Sequence, residues 1–186
     1  QADGALQATI TPTNADGFAT LTLTVLKDPG ARTPELDGSL YFVIAYDPDQ
    51  QTHEYFDKNT PDQSQYVSCL VFAQYPVNTN PEWPVIEAMM APYMKLYPFM
   101  KSRIDLTDLH TFTTFANNPP WNRAYGNVPP GPLGITAGAI PFYMSRDFTD
   151  PRLMPISRDL SANKLMTIMW FVKNLQAQVT PPPQHA

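Results

Sequence analysis

Cysteine is nearly absent: Cys69 stands alone among 186 residues. A lone thiol cannot close an intramolecular disulfide. It also leaves no route to a Cys-based zinc site, an Fe–S cluster or the paired-cysteine attachment of haem c. Cys69 lies in the apolar run Tyr66–Ala73, where a buried, inert thiol is expected. Charge is scarce as well, at 16% of the chain against about a quarter in average proteins. The 12 basic residues are scattered and the net charge is −5, so neither a nucleic acid nor an anionic membrane surface is an expected partner. No apolar run approaches the roughly 18 residues of a membrane span. The sequence contains no Asn-x-Ser/Thr acceptor for N-glycosylation.

Motifs of catalysis are missing too. There is no G-x-S-x-G elbow, P-loop, G-x-G-x-x-G or H-E-x-x-H. Of the three histidines, His185 lies in the terminal stretch. An enzyme would therefore have to be built on His53 or His110, near carboxylates such as Asp57 or Asp105.

What is present is apolar and stiff. Hydrophobic residues reach 43%, with 21 prolines, 8 methionines, 3 tryptophans, 9 tyrosines and 10 phenylalanines. That is a globular composition with proline-stiffened loops, and the length suits one domain. We expect a single α+β domain over 1–186, with 179–186 a flexible tail. The first residue is Gln1 rather than Met, which fits removal of a signal peptide and a secreted, extracellular setting.

The first third reads as β-structure. From Phe18 to Leu26, Leu21, Leu23 and Val25 alternate with Thr20, Thr22 and Thr24, the period of a half-buried strand. A fragment at Thr9–Thr11 offers an edge strand. The continuous runs Leu40–Tyr46 and Tyr66–Ala73 suggest strands covered on both faces at the centre of an antiparallel or mixed sheet.

Near residue 80 the period changes. Ile86, Met89, Met90, Tyr93, Met94 and Tyr97 recur at helical spacing. Asn80 and Pro81 suggest the helix start. Pro92 predicts a kink or a split into two short helices, with Pro98 ending the second. Asp105–Asp108 resembles another start, with Leu106, Leu109, Phe112 and Phe115 following. Ile135–Met144 is expected to return to the sheet as an edge strand. Ser161 can cap a final helix carrying Leu165, Ile168, Met169, Val172 and Leu175 on one stripe. About three helices should thus cover the sheet.

Four segments can be weighed as sites. Asp47, Asp49 and Gln51 have the first spacings of a calcium loop, but Thr52 and Lys58 occupy the positions that need Gly and Glu. Asp47, Asp49, His53 and Asp57 remain metal candidates beside the plainer reading of a solvated loop. Met89, Met90, Met94 and Met100 could tempt a copper assignment, yet a methionine stripe at this spacing is commonly core filling. Leu153-Met154-Pro155, followed by a helix, resembles the closing segment of class I cytochromes c. That resemblance would imply an axial methionine, and the lone cysteine removes the haem attachment it requires.

The fourth segment is the loop of about 18 residues from Asn117 to Gly134, long for a compact domain. It carries Trp121, Arg123 and Tyr125, which either plug a core or meet a ligand. The reading that joins these features is a non-catalytic protein holding a small apolar or aromatic organic molecule. Its pocket is expected between the sheet and the kinked helix, under the Trp121 loop, with Tyr93, Tyr97, Trp121 and Tyr125 as walls and Arg123 or His110 as polar points. A carbohydrate-binding protein would instead turn Trp121 and Tyr125 outward to a sugar. A structural role would expose a broad apolar patch.

Overall fold

The computed structural model describes residues 4–32, 37–44, 66–118, 132–135, 138–155, 157 and 159–179. Its elements run in the order of an α+β chain: four strands, then five α-helices. The strands belong to one compact unit (1–32 and 37–74), and the helices to a second (33–36 and 75–186). Residues 45–65, which include the end of the run Leu40–Tyr46, and the segment 119–131 lie outside the described residues, and so do the candidates Asp47, Asp49, His53, Asp57, Trp121, Arg123 and Tyr125.

In the first unit, β1 (Leu6–Ile10) pairs antiparallel with β2 (Leu21–Val25), from Leu6 opposite Val25 to Ile10 opposite Leu21. The alternation of period two gives the strand as read, with Leu6, Ala8, Ile10, Leu21, Leu23 and Val25 on one face and threonines and Gln7 on the other. The expected half-burial is corrected, since Ile10, Leu21 and Val25 are exposed. Asn14 shapes the connection, its side-chain oxygen accepting from the N–H groups of Asp16 and Phe18 at 3.1 and 2.9 Å. A separate antiparallel pair joins β3 (Ser39–Ile44) to β4 (Tyr66–Val71).

The expectation of one sheet with these runs covered on both faces is corrected. Each sheet has two strands, and Leu40, Phe42 and Val67 are 43%, 55% and 57% exposed. A continuous apolar run specifies extended backbone but not which neighbours cover it. Cys69 is likewise only half-buried, opposite Tyr41.

The second unit holds the core cluster. Its helices are α1 (Trp83–Leu96), α2 (Pro98–Lys101), α3 (Leu109–Asn117), α4 (Ala139–Met144) and α5 (Ala162–Val179). The predicted α1 stripe is buried at Ile86, Met89, Met90, Tyr93 and Met94. Its start lies two residues later than expected. Glu82 is the N-cap and Pro84 falls in the first turn, where a missing N–H costs nothing; Asn80 is used in a side-chain turn with Asn78. The helix continues through Pro92, and Pro98 opens α2 rather than closing it. Asp108 caps α3 by accepting from the Thr111 N–H at 2.8 Å.

The expected edge strand over 135–144 is the clearest correction. Ala139–Met144 is helical, preceded by a single 3-10 turn at Pro132–Gly134. Pro141 sits in the first turn of α4, where it gives up no helical hydrogen bond. Gly138 enters the helix at φ 103°, and a Cβ there would overlap the carbonyl of Ala116, so only glycine permits the approach of α4 to the end of α3.

α5 follows its predicted stripe, with Ile168, Met169 and Val172 fully buried and Ser161 ahead of its first turn. Its half-polar flank ties down neighbouring backbone. Asn163 donates to the carbonyl of Tyr75 at 2.8 Å, and Gln176 donates to that of Ala116 at 2.8 Å. The fully buried Thr167 donates to Asn163 and accepts from the Asn78 N–H, so its hydroxyl is satisfied. Trp83, Phe112 and Phe171 meet with ring centroids 5.4–5.8 Å apart. Phe112→Ala should cost about 3–5 kcal/mol in urea unfolding, whereas Leu96→Ala, at a position 55% exposed, should stay within about 0.5 kcal/mol.

Candidate functional site

A cavity of about 290 Å³ lies within the helical unit. α1 contributes Met90, Tyr93 and Met94 one turn apart, and Tyr97 follows at its end. Met100 comes from α2, Ile104 and Leu106 from the turn after it, and Phe115 from α3. α4 adds Ala139, Ile140, Tyr143 and Met144, and the chain beyond closes the wall with Met154 and Pro155. Met90, Met94 and Met144 are buried, while Tyr97, Met100 and Met154 are half-buried and form the solvent side.

Five of the fourteen lining residues are methionines and three are tyrosines; none is charged. The wall therefore offers thioethers and ring edges, with phenol hydroxyls as its only side-chain hydrogen-bonding groups apart from weakly accepting sulfur. Met94 already uses its sulfur, which accepts from the Leu106 N–H at 3.4 Å. Tyr97 accepts from the Ser157 N–H at 3.2 Å.

The wall formed by 145–155 is held by an ionic clamp. The Asp150 carboxylate accepts from Arg152 Nε at 3.0 Å, from Arg152 Nη2 at 2.8 Å and from the Arg152 backbone N–H at 2.8 Å. Arg146 approaches within 3.9 Å while its guanidinium lies 3.8 Å from the Phe142 ring centroid. Met154 is pinned to α4 by its N–H, which donates to the Tyr143 carbonyl at 2.9 Å. The Arg152 side chain, then its backbone N–H, hold Asp150 down to about 2 from 3.8, with Arg152 and Arg146 charge adding to the effect against some burial.

Of the residues singled out from sequence, Tyr93 and Tyr97 meet at this cavity. His110 does not: it is exposed on α3, about 200° around the helix from the buried Phe112. The described lining residues all belong to the helical unit. Sequence reading missed Tyr143 and Met144 because their segment was read as a strand. Met154 and Pro155 stood out only through the cytochrome-like resemblance of their segment and not as cavity wall, because a loop carries no periodic signal. The spacing of Met90, Met94 and Tyr97 was visible, but the same stripe describes a filled core and a cavity wall. Among the described residues, no group of three or more His, Cys, Asp or Glu is placed to hold a metal ion. No helix among them is long and apolar enough to cross a membrane.

No family model, curated protein or solved structure matches the chain.

Because the folded-state pKa of Asp150 is depressed, its contribution to stability is complete above the ordinary value of 3.8 and is lost as pH falls towards about 2. Asp150→Asn should flatten that part of a plot of denaturation midpoint against pH. Asp105 and Asp108, also lowered by hydrogen bonds from Thr107 and Thr111, should leave a residual acid limb.

Proposed function

We propose that this protein binds a small, largely apolar organic molecule without transforming it, and that the cavity of the helical unit is the binding site. The observation that carries this reading is the lining: fourteen residues around about 290 Å³ with no charged side chain among them. The cavity is open to solvent on the side of Tyr97, Met100 and Met154, so its empty wall leaves carbon and sulfur facing water, at about 25 cal/mol for each Å² of apolar surface. Water is a poor filler for such a wall, because it needs two or more polar partners. An apolar guest recovers the missing dispersion contacts.

The lining supports binding over catalysis because its described residues include no carboxylate, imidazole, thiol or amine. It favours an apolar guest over a sugar for a related reason. Several sugar hydroxyls would lose water with few partners to replace it, at about 1–3 kcal/mol each.

The test uses naphthalene as a probe, with binding followed by thermal shift and by quenching of tyrosine fluorescence. Wild-type protein should bind it. Met100→Trp and Met154→Trp, each filling the solvent side of the cavity, should weaken binding at least about tenfold, or about 1.4 kcal/mol, while the unfolding temperature stays near that of the wild type. His110→Ala should bind as the wild type does. Equal affinity in the filled variants would place the binding elsewhere and end this reading.

A further inference from the structure

We infer that the guest of this cavity is a neutral, flat molecule of about two fused rings. The inference rests on the binding role proposed above and narrows it to one chemical class.

Size comes first. A cavity of about 150 Å³ lined by aliphatic and aromatic side chains accommodates one benzene. The cavity here is about 290 Å³, nearly twice that, and so suits two rings rather than one ring or a steroid-sized skeleton.

Charge is the second criterion. Among the described residues, the lining has no cation to meet a carboxylate or phosphate and no anion to meet an amine. Behind it, Arg152 grips Asp150, while Arg146 stacks on Phe142 and approaches Asp150 with its Nε left without a hydrogen-bond partner. An ionised guest would give up its hydration without a partner, which is strongly unfavourable in an apolar site.

Shape follows from the kind of apolar atom in the wall. Methionine sulfur has favourable contacts at ring edges, and tyrosine and phenylalanine rings favour offset or edge-to-face partners. Five thioethers and the rings of Tyr93, Tyr97, Phe115 and Tyr143 line the cavity. An aromatic guest gains from both kinds of contact, where a saturated one of equal volume gains only burial. The unbranched methionines can also rotate to fit a flat outline, which Leu or Ile walls would resist.

Three nearly isosteric probes test the assignment on the full chain by calorimetric titration at pH 7: 2-acetylnaphthalene, its anionic counterpart 2-naphthoate, and the saturated 2-acetyldecalin. 2-Acetylnaphthalene should bind most tightly. 2-Naphthoate should bind at least about 30-fold more weakly, and 2-acetyldecalin about 2- to 10-fold more weakly. 2-Naphthoate binding as well as the ketone would overturn the neutral-guest inference, and 2-acetyldecalin binding equally would overturn the aromatic one. Both results would leave an apolar binding cavity intact. If neither naphthalene nor any of the three probes binds the wild type, the binding role itself fails.

Discussion

The helical unit depends on one buried column, the apolar face of α5. α1, α3, α4 and the 3-10 turn before α4 all pack on it, and Ile168, Met169 and Val172 are wholly removed from water there. Burying side chains of this size contributes about 1.5–3 kcal/mol each, more than the propensity of α5 alone could supply. The short helices α2 and α4, four and six residues long, are below the length at which a helix is stable in isolation. They exist because the column and its neighbours give their apolar residues somewhere to go.

Polar side chains on α5 make that packing specific. A helix face made only of hydrocarbon could slide by a turn against its neighbours. Asn163, Thr167 and Gln176 prevent this by bonding to particular backbone groups at Tyr75, Asn78 and Ala116, each of which would be unsatisfied in another register. The Ala116 carbonyl lies in the last turn of α3, where a helix lacks its own donors, and Gln176 supplies one. Gly138 approaches the same carbonyl, so the end of α3, the start of α4 and the last turns of α5 are set by one small cluster.

Much of this was legible in the sequence, and the reasons for the rest are physical. Leu21, Leu23 and Val25 declared a strand, and Ile86 through Met94 and Leu165 through Leu175 declared helices, because their periods match the geometry of the backbone. Asp108 declared a cap because its carboxylate has a local target. Ile135–Met144 misled because a short apolar run has no decisive period; the deciding facts were a glycine at positive φ and a proline in a first turn, both of which act through neighbours distant in sequence. Leu40–Ile44 and Tyr66–Val71 were correctly read as extended, but exposure depends on partners that a local pattern does not encode. The cavity was half legible. Tyr93 and Tyr97 announced themselves on the α1 stripe, while Tyr143, Met144, Met154 and Pro155 reach it only through tertiary folding.

The two sides of the core differ in stiffness, and that difference bears on binding. Trp83, Phe112 and Phe171 interlock as rings, with few torsions to vary and strong geometric preferences. One turn along α3, Phe115 faces the cavity instead, where five of the fourteen lining residues are methionines with three rotatable side-chain bonds each. α3 thus separates a rigid corner from an adjustable one. A guest entering past Tyr97 and Met100 would be met by side chains that can change rotamer at little cost, while the rings behind Phe112 keep the helices in place. Adjustment confined to one side of α3 allows the cavity to change shape without disturbing the column on which the helical unit is built.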